Sequence, residues 1–148
     1  MEIQTQYFGT ISCSEQELIH FSDGLFGFTH LKNYVPLAFQ ENSDAFICLQ
    51  SVEDFSVSFI LMNPFQLYAD YAPSLSEEDK KLLDVSQGED SVSYYVICVI
   101  HDSMDHSTVN LKCPIAVNVE NREARQVILD NPLYQFRHLI KDFVKKGD

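Results

Sequence analysis

Gaps of only a few polar residues separate many β-type runs in this sequence, too short to hold a helix, and that spacing rules out most architectures. Tyr34 to Phe39, Ala45 to Gln50 and Val57 to Met62 are rich in branched and aromatic side chains, and only Glu41-Asn42-Ser43-Asp44 and the stretch around Glu53-Asp54 part them. Parallel neighbours need a crossover of a dozen or more residues, so such gaps demand antiparallel pairing. Other runs extend the series. Glu2 to Phe8 places Ile3, Thr5 and Tyr7 on one face until Gly9 ends the alternation, and Leu18 to Phe21 follows. Ser93 to His101 is nearly unbroken in Tyr, Val and Ile, which predicts a central strand packed on both faces. After the polar turn Asp102 to Ser107, Val109 to Glu120 resumes as a strand with Pro114 at a bulge or edge, and Ala124 to Leu129 makes one more. Short strands in this number, with two helices, predict an all-β fold: a small antiparallel β-barrel-like domain or a sandwich.

The punctuation between the runs is also informative. Ser22 to Phe28 carries Gly24 and Gly27 flanked by aromatics, a packed turn able to plug a core. Asn63-Pro64-Phe65 halts a strand, since proline cannot donate to a ladder. Within the connection that follows, Ser74-Leu75-Ser76-Glu77 has the form of a capping box and predicts one short helix from about Leu75 to Leu83, with Leu75, Leu82 and Leu83 on its buried side. Asn131-Pro132 matches a helix start, and Leu133, Phe136, Leu139, Ile140, Phe143 and Val144 recur at helical spacing. This predicts a C-terminal amphipathic helix over 130–148, packed on the barrel or docked on a partner.

The 148 residues fit one domain over 1–148, a length that buries roughly 70% of the unfolded surface. The 11 Phe and 7 Tyr supply core volume in the absence of Trp. Net charge is −12 at pH 7, which repels phosphate backbones and argues against direct nucleic-acid binding. The charge is uneven: residues 1–121 hold 18 acids and four bases, a balance of −14, whereas 122–148 hold four acids and six bases, a balance of +2. An acidic body serves solubility or matches a basic partner, and composition does not choose. Cys13, Cys48, Cys98 and Cys113 form no C-x-x-C pair and read as reduced, mostly buried thiols. The start of the chain has neither a basic segment nor an apolar one, and the run Tyr94 to Ile100 is too short to span a bilayer. The expectation is a cytoplasmic protein with no membrane contact.

Catalytic patterns are missing. The chain has no G-x-x-x-x-G-K-[ST], G-x-G-x-x-G, G-x-S-x-G or H-E-x-x-H, which removes the commonest phosphate, dinucleotide, hydrolase and zinc signatures. His101, Asp102, Asp105 and His106 offer metal-ligating types, but a run of Asp, Ser and Met supplies neither fixed geometry nor supporting groups, and a solvated polar turn accounts for them better; no metal or other cofactor is expected. The adjacent acids Glu53-Asp54 and Glu89-Asp90 share solvated turns and lack the contrasting environments that acid–base pairs need. Asn63 to Tyr71 stands apart, because Phe65, Tyr68 and Tyr71 lie beside Asp70 in a connection. Aromatics with polar tips are typical binding anchors, and they also serve to cover a barrel end. The candidate partner-binding residues are Asn63, Phe65, Tyr68, Asp70 and Tyr71, with Glu77, Glu78 and Asp79 as electrostatic support.

Phe21-x-x-Gly24-Leu25-x-Gly27-Phe28, Leu49-Gln50-Ser51-Val52, Asn63-Pro64-Phe65 with Asp70-Tyr71, Thr108-x-Asn110-Leu111-x-x-Pro114-Ile115 and Ala124-x-Gln126-Val127 occur in that order along the chain. In this ordered combination the sequence resembles the FliW family of flagellar assembly factors. The resemblance implies a non-enzymatic β-barrel-like protein that binds flagellin in the cytoplasm and also binds the RNA-binding translational regulator CsrA, antagonising its repression of flagellin mRNA translation. Free flagellin would then release CsrA and limit its own synthesis. The acidic body fits that scheme, because negative charge within about 8 Å of a basic RNA-binding surface repels incoming phosphates. A monomer is expected before partner binding. Two other classes remain open from the residues alone: an acidic β-barrel enzyme using carboxylates with His101 or His106, and a nucleic-acid mimic occupying an RNA groove.

Overall fold

The computed structural model describes residues 1–39, 45–85 and 91–143. A hairpin of β1 (Glu2–Gln4) and β2 (Thr10–Ser12) precedes the main sheet, which contains β3 (Ile19–Phe21), β4 (Asn33–Ala38), β5 (Phe46–Ser51), β6 (Ser58–Met62), β7 (Val92–Val99), β8 (Thr108–Val109), β9 (Ile115–Asn118), β10 (Glu123–Gln126) and β11 (His138–Leu139). Seven of these close a barrel in the order β7-β6-β5-β4-β3-β10-β9, with β9 returning to β7 through Val92↔Asn118 to Tyr95↔Ile115. Strands that alternate direction around a closed ring must be even in number, so a ring of seven contains a parallel pair. That pair is β3–β10, joined at Glu123↔His20 and Ala124↔Phe21, and all other neighbours in the ring are antiparallel.

Two cores follow from the period-two alternation of the strands. Inside the barrel lie Phe21, Leu25, Tyr34, Leu49, Leu61, Ile115 and Val117, with Tyr95 and Ile97 of β7 partly buried beside them. The alternate residues of β7, Val96 and Cys98, face outward with Met62 and Ala116 into a second core. Residues 63–85 supply its cover through Tyr71, Leu75, Leu83 and Val85, and the C-terminal segment does so through Val127, Leu129, Tyr134 and Ile140. β7 is therefore packed on both faces, as its unbroken apolar run predicts. All four cysteines are buried and unpaired.

Several expectations are corrected. β1 spans three residues, because the hydroxyl of Thr5 donates to Gly9 O at 2.7 Å and accepts from Phe8 N at 2.8 Å, turning the chain back into β2. The stretch from Val109 to Glu120 is not continuous: between β8 and β9 the chain leaves the ladder, Asn110 Oδ1 accepts from Lys112 N and Cys113 N, and Pro114 brings no N–H to the sheet. Ahead of the expected helix lies α1 (Pro64–Leu67), capped by Asn63, whose Oδ1 accepts from Phe65 N at 2.9 Å. The expected helix is α2 (Glu77–Leu82), and its cap is Ser76, with Ser74 outside it; Leu75 and Leu83 are buried but Leu82 is 52% exposed.

No α-helix forms in the described part of 130–148. Asn131 Oδ1 does accept from Leu133 N at 2.9 Å, yet the backbone then bonds elsewhere: Gln135 O accepts from Leu111 N and Lys112 N, β11 pairs with β8, and Ile140 N donates to Ser107 O. A single 3₁₀ turn, Ile140–Phe143, follows. The apolar periodicity is not one buried face, since Ile140 is buried whereas Leu133 and Phe136 are exposed. Val144, the acids Glu89-Asp90 and the turn Glu41 to Asp44 lie outside the described residues.

Gly24 and Gly27 adopt φ of 68° and 85° and turn Leu25 and Phe28 into the barrel end. A Cβ on Gly24 would stand 2.6 Å from Thr29 Cα and 2.8 Å from Phe28 O, both backbone atoms that cannot swing away. At Gly9, whose φ is 67°, a Cβ meets nothing within 4 Å. Gly24→Ala is expected to destabilise by about 3 kcal/mol and Gly9→Ala by about 1 kcal/mol. In thermal unfolding followed by circular dichroism, the first should lower Tm several times further than the second.

Candidate partner-binding surfaces

The eight residues singled out from the sequence all lie in the 63–85 connection over the outer core, but they do not form one surface. Asn63 is the cap of α1 and turns Phe65 outward, 40% exposed, with its ring 6.0 Å from that of Tyr71 and 6.5 Å from that of Tyr94. Tyr68 is half-buried against Phe143 at 5.3 Å, and Asp70 is exposed. Tyr71 belongs to the core: its ring packs edge-on against Tyr134 at 4.8 Å and its hydroxyl donates to Leu111 O at 2.6 Å. Burial pushes its phenol well above the ordinary range, so it stays a donor and a positioning group. Of these five, Phe65, Tyr68 and Asp70 reach the surface.

Glu77 and Glu78 are exposed on the first turn of α2, where the helix dipole favours them. Asp79 is turned inward and accepts from Arg125 Nε at 2.7 Å, while the same guanidinium pairs with Asp23. Glu77 meets Lys80 at 3.5 Å. Counting Glu77, Glu78 and Asp79 against Lys80, Lys81 and Arg125, the helix and its anchor sum to zero. Its far end is held too, with Leu83 O accepting from Asn118 Nδ2 at 2.8 Å. α2 is thus a braced, locally compensated element, and the negative field of the body arises over many turns.

A larger feature was not anticipated. A groove of about 1130 Å³ runs over β6 and the end of β7, lined by Tyr7, Phe39, Phe46, Ile60, Val99 and Ile100 among others. A smaller recess of about 300 Å³ shares Phe59, Ile97 and Val99 with it and ends at Phe26, Phe136 and Arg137. Tyr7, Phe26, Val99 and Phe136 are each at least half exposed, at 58%, 50%, 52% and 59%. An apolar strip this long on an acidic chain is the signature of an interaction surface. The available signal was the apolar run itself, which continues through Val99 and Ile100 to the end of β7 and just past it, where the two side chains are 52% and 44% exposed. The two regions meet at β10, where Gln126 Oε1 accepts from Phe26 N at 2.9 Å and the adjacent Arg125 grips Asp23 and Asp79.

Among the described residues, no group of three or more His, Cys, Asp or Glu is placed to hold a metal ion, and His101, Asp102, Asp105 and His106 sit on a turn stapled by Ser103 and Ser107. Arg125→Ala should leave Asp79 without its guanidinium in a site only 15% exposed, costing about 2 kcal/mol. Hydrogen exchange should then rise selectively in α2 and the 22–28 turn, with the rest of the barrel unchanged.

The family model described as FliW protein matches residues 2–140. A flagellar assembly factor FliW of Ruminiclostridium cellulolyticum is 37% identical over 148 residues, covering 100% of this chain and 99% of the relative. One of Bacillus pumilus is 37% identical over 141 residues, covering 95% and 96%. A crystal structure of the flagellar assembly factor FliW superimposes with a TM-score of 0.88 at 35% identity over 99% of each chain. Family model, relatives and solved structure agree over nearly the full length, and the chain belongs to the FliW family.

Proposed function

We propose that this chain is a cytoplasmic flagellar assembly factor that acts by occupancy: it binds flagellin and the translational regulator CsrA, and by holding CsrA relieves repression of flagellin mRNA. The observation that carries this reading is the coexistence of two chemically opposite surfaces, an apolar groove and an acidic body, on a member of a family of assembly factors. The groove suits the apolar contacts expected of flagellin. The body suits a basic RNA-binding protein, whose encounter would be steered by charge. The free protein is a monomer in this scheme and makes no direct contact with nucleic acid.

An acidic enzyme is disfavoured by where the perturbed groups sit. Cys98 lines the groove, but burial pushes its thiol up to about 12, so it is not a nucleophile at neutral pH. Tyr34, likewise pushed up to about 12 by burial and by Glu53, lies in the inner core. No carboxylate lines the groove among the described residues. A nucleic-acid mimic would need a dense run of unpaired acids, and α2 with its compensating bases does not supply one.

Co-purification with flagellin and with CsrA at rising salt tests the proposal, and absence of both complexes at low salt would refute it. The CsrA complex should weaken more steeply with salt, because its contacts are between charges. Val99→Lys, at the shared wall of groove and recess, should weaken flagellin binding at least tenfold while sparing CsrA, a loss of about 1.4 kcal/mol or more. Replacing Asp70, Glu77 and Glu78 with lysine should do the reverse, and an unchanged CsrA affinity would remove the electrostatic part of the mechanism.

A further inference from the structure

The barrel interior is filled unequally. At one end the 22–28 turn inserts Leu25 and Phe28, and Phe21, Tyr34 and Phe59 stack about them, with Phe21 edge-on to Tyr34 at 5.3 Å and Phe28 edge-on to Phe59 at 5.2 Å. Toward the other end, among the described residues, only Val119 and Arg122 reach the interior from a connection. There the inward side chains are mainly aliphatic, among them Ile47, Leu49, Leu61, Ile115 and Val117, and they leave a cavity of about 150 Å³.

The wall is apolar, and its residues are deeply buried: Leu49 is 1% exposed, Leu61 3%, Ile115 1% and Val117 6%. At the mouth stand Val119 and Arg122, from the turn between β9 and β10. Arg122 adopts φ of 62°, and its guanidinium is fixed by Nε donating to Leu18 O at 3.0 Å and Nη2 donating to Glu17 O at 2.8 Å. It is thus held across the barrel end as a stopper. The rim beyond it carries Glu15 and Glu120, which oppose an anionic ligand.

We infer that this half of the barrel is a binding site for one small neutral apolar molecule, about the size of benzene, lined by Leu49, Leu61, Ile115 and Val117 together with the rings of Phe21 and Tyr95, with Arg122 at its mouth. Apolar cavities of about 150 Å³ stay dry and admit benzene or xenon, because water finds no partners there and an apolar guest recovers the missing dispersion contacts. The site is separate from the groove and the acidic body, and it stands whether or not the partner proposal holds.

The test is thermal unfolding and methyl NMR of the full chain with benzene as the probe. Saturating benzene should raise Tm by about 3 °C or more and shift the methyl resonances of Leu49, Leu61, Ile115 and Val117 while sparing those of the outer core, such as Leu75 and Val127. Val117→Phe, which places a ring in the space, should abolish both effects. Benzoate should bind at least tenfold more weakly than benzene. Xenon-129 NMR on the unaltered chain gives an independent reading should that variant not fold, with a bound resonance expected. Absence of inner-core methyl shifts, an equal response from Val117→Phe, or benzoate binding as tightly as benzene would each overturn the inference.

Discussion

Closure of an odd-numbered ring is the constraint from which the rest of this molecule follows. One seam must run parallel, and here it is held by only two register pairs between β3 and β10. Side chains reinforce what the ladder does not. His20 Nδ1 meets Glu123 at 3.1 Å, Ser22 donates to the same carboxylate at 3.3 Å, Arg122 reaches back to Leu18 and Glu17, and Arg125 crosses to Asp23. Each bond ties the β3 side to the β10 side. Isolated surface pairs contribute little, but a set sharing one seam orders the turns at both ends of it. Those turns carry Phe26 on one side and the stopper of the inner cavity on the other.

Barrel closure also decides where partners can bind. A closed barrel has no long free edge, so recognition moves to its outer faces. Part of that outside is consumed by the second core, where the 63–85 connection and the C-terminal segment cover β6, β7 and β9. The remainder, around the ends of β6 and β7, stays apolar and open. An apolar strip on an acidic chain is the combination that the proposed action by occupancy calls for.

The segments that could be read in advance are those whose pattern and environment agree. β4, β5 and β6 emerge within a residue or two of their apolar runs because they are consecutive antiparallel neighbours, so that the short gaps and the apolar runs between them set the same pairing. The positive φ of Gly24 and Gly27 was legible because glycine adopts it at the least steric cost. The C-terminal segment was not: Asn131-Pro132 and a 3.6-residue spacing satisfy local helix rules, yet β8 offers unpaired backbone groups that the segment satisfies in extended form. Among the candidate contacts, Phe65, Tyr68 and Asp70 reach the surface, while Tyr71 and Asp79 are taken up by Leu111 and Arg125, partners 40 and 46 residues away. Local pattern carries no information about such distant claims on a side chain.

What the residues alone determined is therefore chemical and short-range: an all-β chain, antiparallel where gaps are short, acidic, with buried thiols, no catalytic signature and the ordered motifs of the FliW family. These are properties of composition and of neighbours within a few positions, where sterics and hydrogen bonding act directly. The tertiary structure decided the ring of seven with its parallel seam, the neutralisation of α2 by Arg125, the strip from Tyr7 to Phe136 and the hollow half of the barrel. Each depends on residues brought together from opposite ends of the chain, and side chains respond to the groups they touch in space, whatever their separation in sequence.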